Sequence, residues 1–129
     1  MKEPIWTLEE VVDAVHSMLL SEHGGGSGIR DKGLLDSALA RAKNNFSYNS
    51  DGSIFDLAAA YGFSIAKNHP FVDGNKRVAF TIGTLFLELN GYILHATEVE
   101  ATITFENLAS GILSEEELSS WFETNCTKA

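Results

Sequence analysis

The chain has one cysteine, no apolar run long enough to cross a bilayer, and few positive charges. Lone Cys126 excludes an intramolecular disulfide and fits a reducing compartment. Its place near the C-terminus argues against a catalytic thiol, since chain ends are usually mobile. The most apolar segment, Val78–Leu89, is too short for a membrane span and is interrupted by Thr81, Thr84 and Glu88. The opening stretch MKEPIWTLEEVVDAVHSMLL scatters Glu and Asp among its apolar positions, and so lacks the basic start and apolar run of a signal peptide. These absences predict a soluble, cytoplasmic protein with no membrane partner. Zinc-ligand spacing, a P-loop and a Ser-His-Asp pattern are absent too.

Nine Lys and Arg stand against eighteen Asp and Glu, a formal net charge of −9. Nucleic-acid binding draws most of its strength from neutralised phosphates, so this balance argues against a nucleic-acid partner. The distribution says more than the total. Arg30, Lys32, Arg41 and Lys43 lie within 30–43, Lys67, Lys76 and Arg77 within 67–77, and no cation occurs between Val78 and Thr127. Such concentration suits a focused anion site.

What is present is apolar surface: 44% of the 129 residues are hydrophobic and 10% aromatic. With no internal repeat or low-complexity tract, that predicts one globular domain over residues 1–129. Thr7 and Glu10 form a capping-box pattern ahead of a helix ending near Glu22. The glycine-rich HGGGSG, residues 23–28, then reads as a flexible loop or flap. Asp31 caps a second helix reaching about Lys43, followed by the polar loop NNFSYNSDGS. From about Ser53 to Lys67 the pattern is apolar on nearly all sides, which implies a buried helix. The stretch after Asn75 is similar, and Asn90-Gly91 stops it. Two more capping boxes, Thr97 with Glu100 and Ser114 with Glu117, start a helix to about Ser110 and a short last one. Strand alternation is missing apart from a possible extended piece at Tyr92–His95. The reading is an all-α bundle.

Between the two central helices lies NHPFVDGNKRVAF, residues 68–80. It opens a helix with Lys76 and Arg77, although a helix N-terminus carries positive partial charge and disfavours cations by roughly 0.3–1 kcal/mol each. A bound anion is the simplest compensation. The free amides of Gly74, Asn75, Lys76 and Arg77 form a phosphate cradle, Asn75 adds a side-chain donor, Lys76 a point charge and Arg77 a planar fork. His69 is the side chain suited to accept a proton near neutral pH, hence the candidate general base. Asp73 offers a hard oxygen ligand for magnesium bridging nucleotide phosphates, and serves equally well as a helix N-cap. Phe71 anchors the loop in the core. His16, His23 and His95 read as structural or solvated.

This stretch resembles the signature of the Fic/Doc (Fido) family: His-Pro-Phe, two residues, Gly-Asn, one residue, Arg, carried here by His69, Pro70, Phe71, Gly74, Asn75 and Arg77, with the acidic position filled by Asp73. Upstream, GIRDKGLLDSALARAKN is similar to the segment marking the death-on-curing branch. The resemblance implies an all-α fold and an ATP-dependent transferase, in which His69 deprotonates a hydroxyl on a target protein. Asp73 would bind magnesium, and Gly74 to Arg77 the nucleotide phosphates. Lys76 stands where AMP-transferring Fic enzymes usually have glycine, and a lysine there fills the space beside the helix start. Members of the death-on-curing branch share the Asn-Lys-Arg ending, which implies a toxin-like kinase passing the γ-phosphate of ATP to a translation factor such as elongation factor Tu. Pro70 and Gly74 match the Fic form instead and leave AMP transfer as the alternative. A non-catalytic nucleotide-binding regulator is a third.

The resemblance also implies a cognate antitoxin. Arg30, Lys32, Arg41 and Lys43 are then the candidate surface for an acidic tail or the target protein, against the reading that they are ordinary solvated charges. TITFEN, with Thr102, Glu106 and Asn107, fits the loose pattern of a self-inhibitory Fic helix, and its position within a routine helix favours a chance match.

Overall fold

The two apolar stretches that flank the motif become the two central helices. The computed structural model, which describes residues 1–129, runs α1 (Glu9–His23), α2 (Lys32–Tyr48), α3 (Ile54–Asn68), α4 (Asn75–Leu89), β1 (Tyr92–Leu94), α5 (Glu98–Ser110), α6 (Glu115–Asn125) and β2 (Cys126–Lys128). The fold is all-α, with a two-stranded antiparallel ribbon as its only sheet. No helix is long and apolar enough to cross a membrane.

Helix α3 is the hub, packing against α2, α4 and α6. Its alanine run, Ala58 to Ala60, is fully buried and lets neighbours approach closely. Glycine does the same at two crossings. A Cβ on Gly62 would stand 3.2 Å from both Leu118 and Phe105, and one on Gly83 3.0 Å from Phe122. Twenty-one buried residues form one hydrophobic cluster with members from every helix, from Val12 on α1 to Phe122 on α6. Each fully buried Leu or Phe in it contributes about 1.5–3 kcal/mol.

Most helix starts follow their caps. Asp31 accepts from the Leu34 amide (3.0 Å), and Ser114 forms a complete capping box with Glu117. Thr97 accepts from Glu100 N, without the reciprocal bond. The pattern at Thr7 fails. Trp6 packs against Phe46 (5.7 Å) and Phe86 (6.0 Å), Thr7 is buried, and its N–H donates to the Tyr61 hydroxyl. The chain is drawn into the core there, so α1 begins one residue later with Leu8 as an N-cap lacking a side-chain bond.

Two further expectations are corrected. Helix α2 continues five residues past Lys43, to Tyr48, because half-buried Phe46 packs edge-on against Trp6. The C-terminal residues are not a loose tail. Cys126–Lys128 pair antiparallel with Tyr92–Leu94, Leu94 opposite Cys126 and Tyr92 opposite Lys128, which leaves the Cys126 thiol half-buried.

Candidate functional site

The turn from α3 to α4 is built before any ligand arrives. His69 is the C-cap of α3 and the only non-glycine residue with positive φ (φ 49°, ψ 56°). Pro70 and Phe71 are buried. Asn75, 8% exposed, clamps Phe71 from both sides: Phe71 N–H donates to Asn75 Oδ1 and Asn75 Nδ2 donates to Phe71 O, each at 3.0 Å. This corrects one expectation, since the Asn75 side chain is committed to the turn and only its backbone N–H is left free. Gly74, at φ 80°, is the N-cap of α4. The open role of Asp73 is thereby decided against N-cap, because its Oδ1 accepts from the adjacent Gly74 N–H (2.8 Å) and caps nothing further.

Two residues outside the motif hold this turn: His16, read from the sequence as structural or solvated, is structural, and Arg30, read as part of a surface, has a contact the sequence did not show. His16, on α1 and 5% exposed, stacks on Phe71 with ring centroids 4.0 Å apart, and its Nε2–H donates to the Asp73 carbonyl (3.1 Å). That bond fixes the tautomer, since a carbonyl only accepts. Arg30 donates from Nε to His69 O (2.7 Å) and from Nη2 to Asn68 O (2.8 Å). The glycine-rich loop leans on the same turn. Val72 N donates to Gly28 O, Ile29 bridges Phe71, and a Cβ on Gly25 would stand 2.7 Å from Asp73 Oδ2.

His69, Asp73, Gly74, Asn75, Lys76 and Arg77 all line one cavity of about 620 Å³. Its far walls are Leu19 and His23 of α1 and the α5 face bearing Glu98, Thr102 and Glu106. Thus the Thr102–Glu106 pattern does face the site, although Glu106 forms no ion pair and Thr102 Oγ1 donates to Glu98 O within the helix. Lys76 and Arg77 are exposed and have no acidic partner within 4.0 Å. The amides of Asn75, Lys76 and Arg77 have no acceptor, and the first intrahelical bond is Val78 N to Gly74 O. Two bare cations and three free amides at one helix start make a strong anion receptor.

The other basic cluster is different. Lys32 pairs with Glu9 and Asp36, Arg41 pairs with Glu115 and lies over Phe63, and Lys43 lies over Trp6. Arg30 is bound to the backbone at the α3 end, so of the four cations in the segment 30–43 only Lys32 and Arg41 have a carboxylate partner. The two carboxylates beside Lys32 hold its ammonium well above the usual lysine range. No three or more His, Cys, Asp or Glu side chains gather as a metal site. Asp73 alone fits magnesium in its common mode, one or two carboxylates with the remaining positions taken by substrate phosphates and water.

An all-α bundle whose central helix pair carries a His-Pro-Phe turn and a helix start with two unpaired cations defines a class, and the chain belongs to the Fic/DOC family, whose model matches residues 6–87. Within that family it is similar to the Toxin Doc of Mycolicibacterium smegmatis, 43% identical over 74 residues, covering 57% of each chain. It is also 34% identical over 83 residues to the Protein kinase doc of Escherichia phage P1, covering 64% of this chain and 65% of that one. The aligned stretches thus span under two thirds of both relatives.

Proposed function

We propose that the protein is a toxin-like kinase of a toxin–antitoxin system, transferring the γ-phosphate of ATP to a hydroxyl of a target protein, with a translation factor such as elongation factor Tu as the first candidate. The observation that carries this reading is the meeting of unpaired Lys76 and Arg77 with free helix-start amides beside His69 in one cavity. Similarity to relatives named as a Doc toxin and a protein kinase supports it. The same similarity supports a cognate antitoxin, and the single core running from α1 to α6 supports one domain over residues 1–129.

His69 takes the proton from the target hydroxyl as that oxygen attacks the γ-phosphorus; the bond to the β,γ-bridging oxygen breaks and ADP leaves. The amides of Asn75 to Arg77, with the Lys76 ammonium and Arg77 guanidinium, bind the phosphate oxygens and stabilise the charge that develops on them. Asp73 would hold magnesium, whose chemistry when bound is to neutralise phosphate charge.

Incubation with ATP labelled at either the α- or the γ-phosphate tests the reaction. Label should reach a bacterial translation factor from the γ position alone; transfer only from the α position would replace the kinase by the AMP-transfer reading. Lys76→Gly should weaken γ-transfer. His69→Ala should lower the rate by about 10²–10⁴-fold and abolish growth arrest on expression. Arrest that survives His69→Ala would favour a binding module without catalysis.

A further inference from the structure

Helix α3 ends at the residue the mechanism depends on, and that end is held from outside. Asn68 is its last residue and His69 its C-cap, so their carbonyls belong to the unsatisfied, negative end of a helix. The backbone at His69 is left-handed, a region that non-glycine residues rarely occupy, and it precedes Pro70, which restricts it further. Such a conformation persists only where its surroundings over-determine it. The surroundings here are the residues Gly28 to Asp31. Arg30 N and Asp31 N both donate to Pro70 O (2.7 and 3.1 Å), and the Arg30 side chain reaches one and two residues further back to grip His69 O and Asn68 O.

We propose that Arg30 is a positioning residue for His69: its guanidinium fixes the left-handed backbone on which the imidazole is mounted, and so aims the base at the acceptor hydroxyl. This rests on the reading of His69 as general base. Two donors set at a fixed angle meet two successive carbonyls, a geometry that guanidinium supplies and ammonium does not. Charge at this place is therefore insufficient. The phosphate-binding amides and cations lie on α4, beyond the turn, and the Asn75 clamp on Phe71 holds that side independently of Arg30.

The test compares Arg30→Gln and Arg30→Lys, each alone and combined with His69→Ala. Steady-state transfer from MgATP gives kcat and KM, while NMR of histidine-labelled protein gives the His69 ring resonance and its amide exchange. Both variants should lower kcat by about 10- to 100-fold, as a misplaced base does, with KM for ATP within about twofold of wild type. In the His69→Ala background, removing Arg30 should change the rate by less than about twofold, because the two act as one unit. The His69 resonance should shift or broaden and its amide exchange faster, with those of His23 and His95 unchanged.

An undisturbed His69 signal in both variants overturns the proposal, as does an unchanged kcat, or a full loss that persists without His69. If wild-type protein transfers nothing from ATP, the kinase reading falls while the NMR comparison still decides whether Arg30 holds His69.

Discussion

Asn75 carries two backbone hydrogen bonds on one side chain, and that makes it the residue through which the turn is most easily lost. Phe71 is 1% exposed, so removing the Asn75 amide leaves its N–H and C=O buried without partners. Each such group costs about 1–3 kcal/mol. Asn75→Ala should therefore destabilise the fold by about 2–6 kcal/mol in urea unfolding, and Asn75→Asp, which keeps the acceptor but sets a carboxylate oxygen against the Phe71 carbonyl, should not rescue it. A loss under about 0.5 kcal/mol in Asn75→Ala would mean that the clamp does not hold in solution. The site's polar inventory is legible in the sequence, because His69, Asp73, Gly74, Lys76 and Arg77 cluster in nine positions. The assignment of Asn75 to phosphate is not, since nothing local distinguishes an amide aimed outward from one folded back on its own turn. The supports are more distant. His16 reaches Asp73 across 57 positions and Arg30 reaches His69 across 39, and no periodicity records such contacts.

At the scale of elements, caps and apolar periodicity place α3 and α4 within a residue of where they stand, because both helices are buried and sharply punctuated. The failures come where tertiary packing outranks a local signal, as at Thr7 and at the end of α2. Asp56 shows a cap serving two elements at once. Its Oδ2 accepts from Ser53 N (3.0 Å) to close the α3 capping box, while its Oδ1 accepts from Ser119 Oγ of α6 (2.6 Å). Its charge also sits favourably in the first turn. Asp56→Ala should cost about 1–2 kcal/mol, and Asp56→Asn, which keeps one oxygen to accept from Ser53 N and turns an amide donor toward the Ser119 hydroxyl, less than that. Equal losses in the two variants would assign the effect to charge rather than to the bonds. Differential scanning calorimetry at pH 7 separates these outcomes.

The whole molecule is tied together by contacts that only a finished fold can make, and Tyr61 is the clearest of them. Its ring is fully buried on α3 and lies 5.1 Å from that of Phe86 on α4, and its hydroxyl accepts from Thr7 N ahead of α1 (3.3 Å). Burial raises its pKa above the ordinary phenol value of 10.0, and the Thr7 hydrogen bond only partly offsets this. The sign of the pH effect follows. Above about pH 10 the phenol ionises in the unfolded chain while the folded one keeps its proton, so the unfolded state binds fewer protons and stability falls as pH rises. The stabilisation linked to the neutral phenol is complete below the unfolded value and is lost as pH climbs through the folded one, by at most about 1.4 kcal/mol per pH unit. Lys32 and Cys126 are shifted upward as well and act in the same direction, so the alkaline limb of wild type alone does not isolate Tyr61. Tyr61→Phe does, because the other two groups are common to both proteins. The variant should be less stable at pH 8, since Thr7 N loses its acceptor, and the gap to wild type should narrow as pH rises above about 10. Urea unfolding across that range, with absorbance at the tyrosinate band as an independent titration, reads the gap directly; a gap that stays constant would show that the Tyr61 hydroxyl titrates as a solvated phenol and that the N-terminal segment is not closed over it.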